Sequence, residues 1–209
     1  MSSPTAATPP GLRELKKQRT RAAIADAALE LFTSRGFDAV TVAEVARKAE
    51  VSEATVFNYF RTKEDLVYDR LDQLWTLLLH AVENRPDGTG VVDAVEAFLL
   101  ARGPVAQTPQ QEERLLAITR MVTASPALLA REGASYHHAA TALAGVIART
   151  TRVRADAAAA AQMLLGVHRA LVAYTREQVL AGTDPATLSR RVADRIRSGY
   201  ALLRRGLDI

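Results

Sequence analysis

Apolar residues recur along this chain with the spacing of helices, and no segment sustains the alternation of a strand. Ile24, Ala27, Ala28, Leu31 and Phe32 fall at i, i+3, i+4, i+7 and i+8, so they form one apolar face, and Gly36 follows as a C-terminal cap. Thr41-Val42-Ala43-Glu44 has the form of a capping box, in which hydroxyl and carboxylate each satisfy a backbone N–H of the other residue. The helix it opens carries Val42, Val45, Ala46 and Ala49 on a face barely two turns long. Ser52 caps a third short helix, with Val56 and Phe60 one turn apart on its inner side. Thr62, followed by Glu64 and Asp65, predicts a fourth start with Thr62 as the cap.

Asn84 to Gly90 is the clearest loop. Helices are expected at about 91–102 and 112–123, with Gly103-Pro104 and Thr108-Pro109 between them. Ser125-Pro126 reads as a cap followed by proline at the first helical position, and the helix behind it runs to about Thr150, with an interruption expected near Gly133. A long helix spans about 155–181, and Asp184-Pro185 opens a last one that Gly206 closes. The fold class is therefore all-α: a three-helix N-terminal domain over 12–65 and a larger helical domain over 66–209. Residues 1–11, rich in Ser, Thr, Pro and Ala, read as a disordered tail.

Composition narrows the setting. Cysteine is absent, which excludes disulfides and thiolate chemistry and fits a reducing cytoplasm. No apolar run reaches the roughly 20 residues of a membrane span, and the first residues lack the pattern of a signal peptide. The expected location is cytoplasmic, with no membrane partner. Net charge is +4, which says little alone. Its distribution says more: Arg13, Lys16, Lys17, Arg19 and Arg21 face the single acid Glu14 in the stretch that leads into the short helices.

Two short helices joined by a few residues form a helix-turn-helix, whose second helix enters the major groove. Ser52, Glu53, Ala54, Thr55 and Asn58 suit a reading face, because Asn pairs bidentately with adenine and small side chains meet a thymine methyl. Glu53 either accepts from a cytosine amino group or points to solvent. Tyr59 and Lys63 lie where a hydroxyl and an ammonium reach phosphates.

The composite of Arg21 to Ile24, Ala27-Ala28, Leu31-Phe32, Gly36, Thr41, Val45-Ala46, Ala49, Val51-Ser52, Thr55-Val56-Phe57, Tyr59-Phe60, Lys63 and Leu66 closely resembles the N-terminal domain of the TetR (tetracycline-repressor) family. The resemblance implies phosphate contacts from Thr41, Lys63 and Tyr59, with the arm residues Arg19 and Arg21, and base reading over 52–58. It also implies a C-terminal bundle that binds a ligand and dimerises through its last two helices. Two positions depart from the family pattern. Glu50 stands where glycine is usual, and Phe57 stands where tyrosine is frequent, so Phe57 keeps a packing role without a phosphate hydrogen bond.

The remainder of the chain offers no motif of its own. The stripes Ala158, Ala161, Leu165, His168, Val172 and Leu188, Val192, Ile196, Tyr200, Leu203 suit a four-helix interface between two copies. Trp75, Leu78, Phe98, Met121, Tyr136, Met163 and His168 are candidates for an adaptable effector pocket. His137 and His138 point about 100° apart on a helix, so no metal site is expected. No nucleophile–base pair, paired carboxylates or phosphate loop is recognisable, so neither an enzyme nor a cofactor is expected. The reading is a homodimeric regulator of a palindromic operator, a repressor released by a small apolar molecule. The alternative is a helical carrier or enzyme with a vestigial helix-turn-helix. The sequence does not separate repressor from activator.

Overall fold

The computed structural model describes residues 11–103, 106–152 and 154–206. Apart from Gly11, the tail expected at the N-terminus lies outside these residues. Contacts divide the chain into two units, residues 1–67 and residues 68–209.

The first unit holds α1 (Leu12–Arg35), α2 (Val42–Lys48) and α3 (Glu53–Tyr59). Its core is small: Ile24, Ala28, Phe32, Val40, Val45, Val56 and Phe60 are almost completely buried. Phe32 and Phe37 meet edge to face at 5.1 Å. With so little apolar area, the local caps matter. Thr41 and Glu44 form the expected capping box, and the Ser52 hydroxyl accepts from the Thr55 N–H.

The turn between α2 and α3 is a Schellman motif. The Val51 N–H reaches back to the Ala46 carbonyl at 3.0 Å, and the Glu50 N–H reaches Arg47 at 3.2 Å. Such a turn needs a left-handed residue between the helices. Here that residue is Glu50, at φ +55°. The substitution for glycine has kept the turn and loads it with steric strain of about 1 kcal/mol.

The chain passes from the first unit to the second within α4 (Asp65–Glu83). That helix starts later than Thr62 suggested. The Thr62 hydroxyl accepts from the Asp65 N–H, and the Asp65 carboxylate accepts in return from the N–H groups of Arg61 and Thr62. The predicted cap exists, but it closes a non-helical turn over the N-terminus instead of opening a helix at 63.

The second unit adds α5 (Val91–Leu100), α6 (Pro109–Ala124), α7 (Pro126–Thr150), α8 (Ala157–Leu180) and α9 (Pro185–Arg205). Thr108, Ser125 and Asp184 cap α6, α7 and α9, each ahead of a proline in the first turn. Helix α7 runs without interruption past Gly133, because its neighbours on both sides satisfy the helical pattern and one glycine costs only about 1 kcal/mol there. Gly206 ends α9 in the left-handed conformation.

Helices α7, α8 and α9 enclose the core of this unit, with Leu143, Ala161, Leu164, Leu165, Ile196 and Tyr200 buried. The Tyr200 hydroxyl donates to the Leu164 carbonyl at 3.1 Å. Close approach of α8 and α9 depends on Gly199, where an added Cβ would lie 2.7 Å from a Val167 methyl.

This packing removes half of the expected stripes from any interface. Ala161, Leu165, Leu188, Ile196 and Tyr200 are buried within the unit itself, while Ala158 is exposed and His168, Val172, Val192 and Leu203 are half-buried. A different face of α8 stays exposed: Ala159, Gln162, Met163, Gly166, Ala170 and Ala173.

Candidate DNA-reading face and effector site

On α3, Val56 faces inward, so positions on the other side of the helix project outward. Ser52, Glu53, Ala54, Phe57 and Asn58 are exposed, and Thr55 and Tyr59 are half-buried. The face is small and polar except for Phe57, which is 52% exposed. An exposed phenyl ring on so small a unit offers van der Waals contact to sugar or base edges. Ser52 and Thr55 are joined hydroxyl to hydroxyl at 2.8 Å, which fixes their rotamers ahead of any contact. The structure gives Glu53 no hydrogen bond or ion pair among the described residues, and Asn58 likewise, so both are available to a ligand.

Three expected phosphate contacts have distinct surroundings. The Lys63 ammonium sits 4.3 Å from the Phe37 ring centre and 5.6 Å from that of Phe32. Attraction to two aromatic rings holds the cation in place without neutralising it. No sequence spacing announced that seat, because residues 32, 37 and 63 meet only in the folded unit. Arg21 is a pin: its guanidinium donates to the Tyr59 carbonyl at 3.1 Å and lies 4.7 Å from the Phe60 ring centre. It thereby ties α1 to the end of α3. Arg19 is exposed.

At Thr41, the N–H and the hydroxyl both donate to Glu44, at 2.8 and 3.0 Å. Arg35 pairs with the same carboxylate at 2.7 Å. The Thr41 N–H, then the Arg35 guanidinium and the Thr41 hydroxyl, lower the Glu44 pKa to about 2. A phosphate that recruits the Thr41 hydroxyl therefore competes with Glu44. Sequence reasoning also passed over Arg47 and Arg61, which are exposed and have no acidic partner among the described residues.

In the second unit, Trp75, Tyr136 and His168 come together from α4, α7 and α8. Ring centres are 5.1 Å apart for Trp75–Tyr136, 5.0 Å for Trp75–His168 and 5.8 Å for Tyr136–His168. The Tyr136 hydroxyl lies 2.8 Å from His168 Nδ1. Burial, aided by the positive charge of Arg102, lowers the His168 pKa to about 4, so the ring is neutral at pH 7. Burial raises that of the Tyr136 hydroxyl.

Polar bonds hold this cluster in register. The Trp75 indole N–H donates to Ser135 at 2.9 Å, Ser135 donates to Asp72 at 2.6 Å, and Arg131 reaches the other Asp72 oxygen at 2.5 Å. One helix turn below, Arg176 grips Glu132 bidentately at 2.5 and 2.9 Å. Close by, the Tyr68 hydroxyl is buried and lacks a hydrogen bond of good geometry.

Of the other pocket candidates, Leu78 is buried in the same core as Trp75 and Tyr136, and Phe98 packs half-buried against that core. Met121 is buried in α6. Met163 is 47% exposed and lines a separate apolar groove of about 420 Å³ with Val91, Ile147 and Leu203. Among the described residues no helix is long and apolar enough to cross a membrane, and no group of three potential metal ligands occurs.

Comparison with known proteins agrees with these features. Residues 24–68 match the model of bacterial regulatory proteins of the tetR family. The HTH-type transcriptional regulator TcmR of Streptomyces glaucescens is 32% identical over 193 residues, covering 88% of this chain and 85% of its own. The HTH-type transcriptional repressor Rv3405c of Mycobacterium tuberculosis is 31% identical over 102 residues, 46% of this chain and 54% of its own. Among solved structures, Thermus thermophilus FadR, a TetR-family repressor in complex with lauroyl-CoA, shares the fold with a TM-score of 0.51 at 24% identity, covering 90% of this chain and 95% of that one. The fatty acid degradation regulator FadR of Bacillus halodurans does so with a TM-score of 0.54 at 17% identity, covering 88% and 98%. The chain belongs to the TetR family of HTH-type transcriptional regulators.

Proposed function

We propose that the chain is a homodimeric, cytoplasmic repressor that sets its two α3 helices in successive major grooves of a palindromic operator, about 34–36 Å apart, and leaves it when a small molecule enters the second unit. The observation that carries the reading is the exposed face of α3 backed by a cation held ready at Lys63. Positioning and reading are thereby divided: Lys63, Tyr59 and Arg19 meet phosphates, while Asn58, Ala54 and Glu53 meet base edges. Thr41 joins the first group by exchanging Glu44 for phosphate. Arg21 acts through the end of α3 that it holds.

The second copy docks on the exposed face of α8, where Ala159, Gly166, Ala170 and Ala173 let helices approach closely. Effector entry near Trp75 disturbs the Asp72–Ser135 link and tilts α4, the helix through which the chain passes between units. The work comes from the ligand's unequal affinity for the two shapes. A carrier with a vestigial helix-turn-helix has no use for the aromatic seat of Lys63.

The test is fluorescence anisotropy of a labelled duplex taken from upstream of the gene, against scrambled DNA, across a salt series. Two subunits per site and strong preference for the upstream duplex are expected. Lys63→Ala should weaken both duplexes and reduce the salt slope by about one. Equal affinity of the parent for the two duplexes contradicts operator recognition there.

A further inference from the structure

Helix α6 packs mainly against α7 and α8. Beside the start of α9 it leaves a cavity of about 450 Å³. The floor is apolar: Ala106 and Leu188 are buried, and Leu115, Leu116 and Val179 are half-buried. The rim carries three carboxylates, on Glu112, Glu113 and Asp184, and no Lys, Arg or His lines the cavity among the described residues. In a chain of net charge +4, that local sign runs against the average. The lining shares no residue with the cluster of Trp75, Tyr136 and His168.

The turn on the α9 side is fixed by its own bonds. Gly182 follows α8 at φ +73°, the Thr183 N–H reaches the Gln178 carbonyl at 3.0 Å, and the Thr183 hydroxyl donates to the Gln178 side chain at 3.1 Å. On the other side, Glu112 and Glu113 lie one turn from Leu116, which puts the three on one face of α6. Neither glutamate has a hydrogen bond or ion pair among the described residues. Asp184 differs: it caps α9 by accepting from the Thr187 N–H at 2.9 Å, and Arg190 offsets part of its charge. The two helix starts give an anion little to bind, because the Thr108 and Asp184 side chains already accept from their first turns.

We propose that this cavity binds an organic cation with an apolar body, an alkyl- or arylammonium ion, its hydrocarbon against Leu116, Val179 and Leu188 and its ammonium at Glu112 and Glu113. The inference goes beyond the regulatory reading and does not depend on it. Cavities of this size hold drug-sized molecules, and burial of the apolar body supplies most of the affinity. The carboxylates select the sign of charge: a neutral molecule leaves them unused, and an anion is repelled. Because both glutamates are exposed, they act through water. The preference for a cation over its neutral analogue should therefore be about three- to tenfold.

The test is isothermal titration calorimetry of the full-length protein at low salt. The probes are 4-phenylbutylammonium, neutral 4-phenylbutanol, and methylammonium, which keeps the charge and lacks the body. Saturable binding of 4-phenylbutylammonium is expected, about three- to tenfold tighter than that of the alcohol, with methylammonium far weaker than either. The double variant Glu112→Gln, Glu113→Gln should bring the ammonium-to-alcohol ratio close to one and leave the alcohol unchanged. Both residues are exposed, so the variant keeps the core, which circular dichroism checks. Leu116→Trp, which fills the cavity from its α6 side, should weaken the ammonium and the alcohol in step.

Equal binding of ammonium and alcohol by the parent, or an unchanged ratio in the double glutamine variant, overturns the choice of charge. Methylammonium binding as tightly as 4-phenylbutylammonium overturns the apolar body. Undiminished binding of both phenylbutyl probes by Leu116→Trp puts them elsewhere and overturns the cavity as the site. No saturable heat up to about 5 mM 4-phenylbutylammonium overturns the proposal as a whole. Operator anisotropy of the same preparation without probe reports on the regulatory reading separately, and its failure leaves the cavity as measured.

Discussion

The two units are held by bonds of different reach. In the first, side-chain caps join residues three apart, as at Thr41–Glu44 and Ser52–Thr55, and the core is a handful of apolar residues. In the second, the decisive polar bonds join residues far apart in sequence: Trp75 to Ser135, Glu132 to Arg176, Asp93 to Arg204. A unit whose turns are closed by local caps, with Arg21 pinning α1 to the end of α3, is rigid in detail and suits a face that must match base edges. A unit closed by a few polar links between long helices has alternative pairings within reach, which a sensor requires.

The largest expected effect breaks one of those distant links. Glu132→Ala strips Arg176 of its partner in a poorly solvated position. Both side chains are mostly buried, with 14% and 21% of their surface exposed. The cost should be about 3–4 kcal/mol, read as a lower urea midpoint. Replacing both residues by methionine should return most of it, because the penalty belongs to the orphaned charge. If the double variant is as unstable as the single one, packing and not charge holds α7 to α8.

A somewhat smaller effect comes from acid. His168 has its pKa lowered from the usual 6.5 to about 4, so the unfolded chain binds the proton more tightly than the folded one. The stabilisation is complete above pH 6.5 and drains away as pH falls toward 4. Between pH 7.5 and 4.5 this residue alone should account for about 2–3 kcal/mol. His168→Gln keeps a polar partner for Tyr136 and cannot charge, so the variant's stability curve should be flatter by that amount. Parallel curves for parent and variant mean that His168 is protonated in the fold as easily as out of it. In the first unit, the Thr41 N–H and the Arg35 guanidinium hold the Glu44 carboxylate well below the usual carboxylate range, so this cap keeps its charge further into acid.

What could be read in the sequence follows the same division. The caps at Thr41, Ser52, Ser125 and Asp184 are local chemistry, and each was legible from a few adjacent residues. Spacing alone also showed which face of α3 is exposed, because Val56 fixes which side is buried. The seat of Lys63 on Phe32 and Phe37 was not legible, since it joins three separate segments. The apolar stripes of α8 and α9 misled for a related reason: a stripe shows that a helix is buried, not against what. Of the side chains singled out for their size as pocket candidates, Trp75, Tyr136 and His168 meet in one cluster. The same criterion drew in Met163, which lies in another groove.

The smallest predicted change strengthens the local unit. Glu50 occupies the left-handed position of the turn between α2 and α3, at φ +55°. Its side chain is exposed, so it returns little in packing. Glu50→Gly relieves the clash between Cβ and the backbone but frees the unfolded chain, and the two effects oppose each other. For a residue this far into the left-handed region the relief wins, and a gain of about 0.5–1 kcal/mol in the first unit is expected. Hydrogen exchange at the Val51 and Val56 amides measures it locally. Both are bonded across the turn or into α3, at 3.0 and 3.1 Å, so both should exchange more slowly in the variant. Operator affinity should change little, since the Schellman bonds already fix the angle between the helices. Faster exchange would mean that Glu50 holds the turn through its side chain. The rigidity ascribed to the reading unit would then depend on a contact outside the backbone, and its contrast with the second unit would narrow.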